Sequence, residues 1–240
     1  MSEGRTETGR PAPGRGRGVL LAVAAAALAA GAASGLSEAT LDRIRGKDVA
    51  QTPMAGGASL ADINRIVVKR ATLMYGLQGA ALGLLLGLAG AAARRSVSAA
   101  ALGGPVGLVV GGAAGAGAAR GLFRSYFALA DLSEENMLLA LLCHAGVWGL
   151  IGLAGGLAYG LGLGGGGGRV ARAAVGGLIG AVLATVLYEV VGAALFPLDK
   201  TAEPVAATVA ARLFGIASVC LFAALGAALS AEPRSGKVPA

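Results

Sequence analysis

The chain has 240 residues, 55% of them hydrophobic, 4% aromatic and 14% charged, with a mean hydropathy of +0.72. Soluble chains carry roughly 25% charged residues, so these figures exclude a water-soluble enzyme, a nucleic-acid-binding domain and a disulfide-stapled secreted module. The formal charge of +7 does not restore a nucleic-acid partner, because Lys and Arg sit at the ends of apolar segments rather than along one aromatic-interleaved stripe.

In chain order, residues 1–18 read as a basic, disordered N-terminus carrying Arg5, Arg10, Arg15 and Arg17. Val19–Leu36 follows as a first span. The same basic leader, apolar run and Ala30-Gly31-Ala32 also match a signal peptide, so a retained helix and a cleaved leader both stand. Ser37–Arg45 and Leu60–Arg70 read as short amphipathic helices joined by a turn at Pro53–Gly57. Ala71–Ala93 and Ser98–Ala119 are strong spans, each near the roughly 20 residues that cross a bilayer, and they turn at Arg94-Arg95. Gly121–Leu132, with Phe123, Arg124, Tyr126 and Phe127, reads as an interfacial connector. Ser133-Glu134-Glu135 reads as the N-cap of the next span, Met137–Leu161. The glycine run Gly162–Arg169 has neither the preceding strand nor the following Lys-Ser/Thr of a phosphate loop, so it reads as a flexible link. Ala173–Phe196 and Val205–Ser230 complete six spans, before a disordered tail at 231–240. The expected fold is all-α: a polytopic transmembrane bundle with internal repeats and glycine-mediated packing.

Orientation is nearly balanced. One face would hold ten Lys/Arg and three acids, the other nine of each. The short turns at Arg94-Arg95 and Arg169/Arg172 have no acidic company, which places both termini on the cytoplasmic side.

Sliding the chain on itself by 73 residues aligns Tyr75–Leu84 with Trp148–Leu157, Gly103–Gly107 with Gly176–Gly180, and Leu122-Phe123 with Leu195-Phe196. Spans two and three therefore repeat as spans four and five, in parallel rather than inverted order. A fainter echo of Leu36-Ser37-Glu38 in Leu187-Tyr188-Glu189 suggests three tandem units.

Glycines recur every fourth residue: Gly79, Gly83 and Gly87 in span two, and Gly103, Gly107, Gly111 and Gly115 in span three. Gly152, Gly156, Gly160 and Gly164 continue the spacing in span four, Gly176, Gly180 and Ala184 in span five. Such a spacing drifts only about 40° per step on a helix. Each set then forms one seam, and small residues at a seam let helix backbones approach closely in lipid. Packing within the chain is the expected use, with a homo-oligomer seam as the alternative.

Ionisable groups inside spans are costly and default to functional candidates. His144, Glu189 and Arg212 each lie about seven residues inside a span end on the same face, about 10 Å deep at ~1.5 Å per residue. Gln78 and Tyr75 approach from that side too, forming a candidate polar layer. A Glu189–Arg212 pair is expected, with His144 close by, and a structural pair is weighed there against an ion or proton site. No catalytic set, metal-ligand spacing or cofactor motif is present, and Cys143 and Cys220 read as small apolar fillers.

The stretch Leu187–Pro204 resembles one in uncharacterised Gly/Ala-rich multi-pass proteins of planctomycete-type bacteria. The resemblance implies a bacterial inner membrane and no particular activity. The expected role is therefore that of a non-enzymatic membrane protein, structural or partner-binding, in contact with lipid and with another membrane protein or a second copy. A small transporter or channel subunit is the alternative.

Overall fold

The computed structural model describes residues 15–51, 59–129, 137–164, 166–196 and 203–232. The expected turn at Pro53–Gly57, the cap at Ser133–Glu135, most of the Pro197–Pro204 connection and the chain ends before 15 and after 232 lie outside the described residues. Six helices account for nearly everything described: α1 (Arg15–Gln51), α2 (Leu60–Arg94), α3 (Val97–Leu129), α4 (Met137–Leu163), α5 (Gly167–Leu195) and α6 (Val209–Ala231). All six are long and apolar enough to cross a membrane, so the chain is a multi-pass membrane protein.

Several boundaries differ from expectation. The Ser37–Arg45, Leu60–Arg70 and Gly121–Leu132 segments are not separate interfacial helices. They continue α1, α2 and α3 without a break over the residues described: no proline removes a backbone donor at those junctions, and Gly35 and Gly121 stay helical. Residues 15–18 already belong to α1, so the first helical turn reaches into the stretch expected to be disordered. The glycine run is mostly helix: α4 extends to Leu163 and α5 starts at Gly167, and among its described residues only Gly164 takes a positive φ, 62°. Helix six starts at Val209 rather than Val205, capped by the Thr208 hydroxyl, which accepts from the Ala211 amide at 3.3 Å. Helix two is capped likewise by Ser59, whose hydroxyl also donates to Asp62.

The helices form two populations. The even-numbered helices α2, α4 and α6 are the more buried, the odd-numbered ones the more exposed. Each odd helix packs between two even ones: α1 between α6 and α2, α3 between α2 and α4, α5 between α4 and α6. Every crossing reverses direction, so the inner helices run parallel to one another and antiparallel to the outer three. Throughout, face I carries the turns after α2 and α4, and face II the connections after α1, α3 and α5.

The glycines explain the tightest contacts. A Cβ built on Gly79, Gly83 or Gly87 would strike the carbonyl of Gly111, Gly107 or Gly103, and one on Gly115 would strike the Tyr75 carbonyl. The α2–α3 interface is therefore backbone against backbone over more than three turns. In α4, Gly152 and Gly156 meet Gly177 and Ala173 of α5, and Gly160 meets Val170. Gly176 and Gly180 do not join that seam. They face α6, where an added Cβ would meet the carbonyls of Gly226 and Phe222.

Inner helices α2 and α4 are parallel. Gly79 lies by Ile151, Gly155 by Leu82 and Leu86, and Gly162 by Gly87 and Ala91, so residues about 73 apart lie side by side. The outer helices do not keep that offset. Gly107 against Gly83 corresponds to Ala173 against Gly156, which are 66 residues apart. The turns explain the slip: the left-handed residues closing them are Arg95 and Gly164, only 69 residues apart. The first hairpin runs about one helical turn further beyond its seam than the second.

A candidate functional site near face II

Helix registry brings the ionisable side chains together in two places. His144, 2% exposed, lies on the face of α4 that also carries Gly152, and Glu189 of α5 reaches it: His144 Nδ1 is 2.9 Å from Glu189 Oε1. A carboxylate oxygen accepts, so this contact places an Nδ1 proton toward Glu189. Arg212 is held elsewhere. Its Nε and Nη2 donate to the two carboxylate oxygens of Glu38 on α1, each at 2.7 Å, and Nη1 donates to the carbonyls of Ala206 and Ala207 at 2.8 and 2.9 Å. The two-pronged geometry is the strong form of Arg–carboxylate contact.

The expected Glu189–Arg212 pair is therefore not formed. Two physical reasons account for it. Arg212 sits in the first turn of α6, about 5 Å inside the helix start at ~1.5 Å per residue, where its guanidinium can turn back onto the carbonyls that precede the helix. Meanwhile α1 extends past Leu36 as helix and delivers Glu38 to α6, whereas Glu189 faces α4. The expected short interfacial helix Ser37–Arg45 put Glu38 outside any span. The one signal that could have found it was the Leu36-Ser37-Glu38 echo of Leu187-Tyr188-Glu189. Both acids sit late in outer helices, and each binds a cationic or imidazole group on an inner one.

Around His144 the rings form a continuous layer that composition alone does not reveal. His144 stacks on Trp148 (centroids 5.3 Å apart, planes 18°) and meets Phe123 and Tyr188 edge-on at 5.7 and 6.3 Å. Trp148 meets Tyr188 at 5.1 Å and Tyr75 at 6.2 Å, both edge-on, and Tyr188 leads on to Phe214 of α6. Edge-on and offset ring pairs of this kind add roughly 0.5–1.5 kcal/mol each beyond burial. Tyr75 also ties the layer to the segment before α6, its hydroxyl donating to the Pro204 carbonyl at 2.9 Å.

Gln78 lies one turn deeper in α2 and is fully buried. Neither of its amide atoms has a hydrogen-bond partner, and the same holds for Trp148 Nε1. Of the five polar candidates, then, His144 and Glu189 bond to each other, Tyr75 joins their aromatic surround, Arg212 belongs to a second cluster with Glu38, and Gln78 stands apart. Among the described residues no group of three or more His, Cys, Asp or Glu is placed to hold a metal ion. Cys143 and Cys220 are buried and unpaired with each other.

No protein-family profile, curated protein or solved structure matches the chain.

Proposed function

We infer that this multi-pass membrane protein acts as a non-enzymatic, structural or partner-binding component, and that its intramembrane polar groups hold the bundle together rather than process a substrate. One observation carries the reading: each ionisable side chain of the layer is matched by another on a neighbouring helix. Glu38 clamps α1 to α6, and Glu189 clamps α5 to α4. A transport or proton site needs a group that changes partners, and these carboxylates are committed. Among the described residues no Ser hydroxyl or Cys thiol is bonded to the His144–Glu189 dyad; the Cys143 thiol points instead to the Leu122 carbonyl at 3.8 Å.

A bacterial cytoplasmic membrane with face I inside is supported by the face I turns. Arg95 adopts the left-handed conformation at φ 58°, where a non-glycine residue costs about 1–2 kcal/mol, while the matching turn uses Gly164. Keeping a cation there at that cost fits a role in orientation. A retained α1 is supported by its buried Ala22, Ala26, Ala29 and Ala33 and by the Glu38 clamp. The partner would be another membrane protein or a second copy, met through the lipid-exposed outer helices.

The test is an ion and solute flux screen on the purified protein in liposomes, paired with crosslinking in membranes. Flux at the lipid background, together with a defined crosslinked partner, is the expected result. A saturable flux abolished by Glu189→Gln would overturn it. The transporter alternative draws on a specific feature, the unpartnered amide of Gln78 and indole of Trp148 within the parallel inner helices. Loss of that flux in Gln78→Leu would assign it there.

A further inference from the structure

On face II the tight α2–α3 seam ends at Tyr75 and Gly115. Beyond it the seam positions carry side chains, Ala119 and Phe123 on α3 and Thr72 and Val68 on α2, so the backbones can no longer touch. Between the two helices here lies an open groove of about 730 Å³. Its floor is apolar, formed by Val68 and Phe127. Its walls carry Arg65 and Lys69, one turn apart on α2, and Arg120 and Arg124, one turn apart on α3. All four cations are exposed, and among the described residues no acid lines the groove and none of the four has an ionic partner. Four like charges facing one concavity repel each other, and a bound anion relieves that repulsion.

We propose that this groove is a binding site for a membrane phospholipid with an anionic headgroup, its phosphate held between the α2 and α3 cation pairs and its acyl chain lying along Val68 and Phe127. Position selects the occupant. The cations lie just outside the apolar stretches of α2 and α3, at headgroup level, and the apolar floor continues toward the bilayer interior. Arginine forks match phosphate oxygens in pairs. Each added cation strengthens the attraction for an anionic headgroup. The site is independent of the His144 layer, so it holds whether or not the protein transports anything.

Native mass spectrometry of the detergent-purified full chain, titrated with phosphatidylglycerol, cardiolipin and phosphatidylcholine, tests it. The anionic lipids should be retained in preference to phosphatidylcholine. That preference should vanish in a variant combining Arg65→Gln, Lys69→Gln, Arg120→Gln and Arg124→Gln, and survive in Arg169→Gln with Arg172→Gln, which alters the basic turn on the opposite face. The two half-variants, each neutralising one helix, should each lose part of the preference, which guards against a misfolded quadruple variant. Equal retention of phosphatidylcholine, or an unchanged preference in the quadruple variant, would overturn the proposal. So would full competition by glycerophosphate or inorganic phosphate, which would make the groove a free-phosphate site instead.

Discussion

At the residue scale, the choice of partner for Arg212 shows how a helical face outranks proximity in sequence. Glu189 and Arg212 lie on consecutive helices near the same face, yet each turns toward a different neighbour, His144 and Glu38. A double-mutant cycle separates the two arrangements. Glu38→Gln with Arg212→Gln should show a coupling of order 1 kcal/mol in detergent denaturation, and Glu189→Gln with Arg212→Gln close to none. Arg212→Gln alone should cost about 2 kcal/mol, less than for a fully buried pair because the Glu38 side chain is 29% exposed. Removing the ring of His144 is a different matter. His144→Ala forfeits a stack on Trp148 and strands a carboxylate that is only 12% exposed, so it should cost about 2–4 kcal/mol. His144→Gln, which retains a donor for Glu189, should recover part of that loss in the same thermal melt.

At the element scale, glycine spacing separates seams from lipid-facing stretches only in part. The seams of α2 and α3 were legible as fourfold spacing, and the carbonyl contacts lie along them. Yet Gly117 and Gly121 sit on the same helix with nothing within 4 Å of an added Cβ. Gly83→Ala and Gly107→Ala should therefore lower the midpoint of thermal denaturation sharply, while Gly117→Ala should leave it unchanged or raise it slightly, since alanine is the better helix former by about 1 kcal/mol. A Gly83→Ala protein as stable as the parent would show that the α2–α3 backbones can separate at no cost. Spacing also could not say which neighbour a seam meets. Gly176 and Gly180 matched the span-three glycines by offset, but they pack on α6, because the α4–α5 hairpin turns about one helical turn sooner after its seam.

At the scale of the whole molecule, three inner helices run parallel with an outer helix in each gap between them. The arrangement resembles three successive outer–inner hairpins. The echo of Glu38 in Glu189 belongs to it, since both acids come from outer helices and each clamps an inner one. The parallel placement of α2 and α4 can be checked by disulfide trapping after replacement of Cys143 and Cys220. Leu82→Cys with Gly155→Cys should crosslink, because Leu82 lies within 3.4 Å of a Cβ at position 155. Leu82→Cys with Ala140→Cys should not, since Ala140 lies four turns nearer the start of α4.

The sequence by itself determined that this is a helical membrane protein with six crossings, because apolar length and the scarcity of charge are local properties that no tertiary contact needs to supply. The shared fourfold glycine spacing of α2 and α4 was likewise legible in it. What only the tertiary structure decided was partnership: which of two neighbours each glycine seam meets, that α1 continues far enough to bring Glu38 to Arg212, and that Phe123, Trp148 and Tyr188 close around His144. Those outcomes depend on the rotation of each helix about its axis and on turn lengths. A change of one residue in a turn swings a side chain by about 100° on a helix of 3.6 residues per turn, which is the step on α5 from Gly177, facing α4, to Gly176, facing α6.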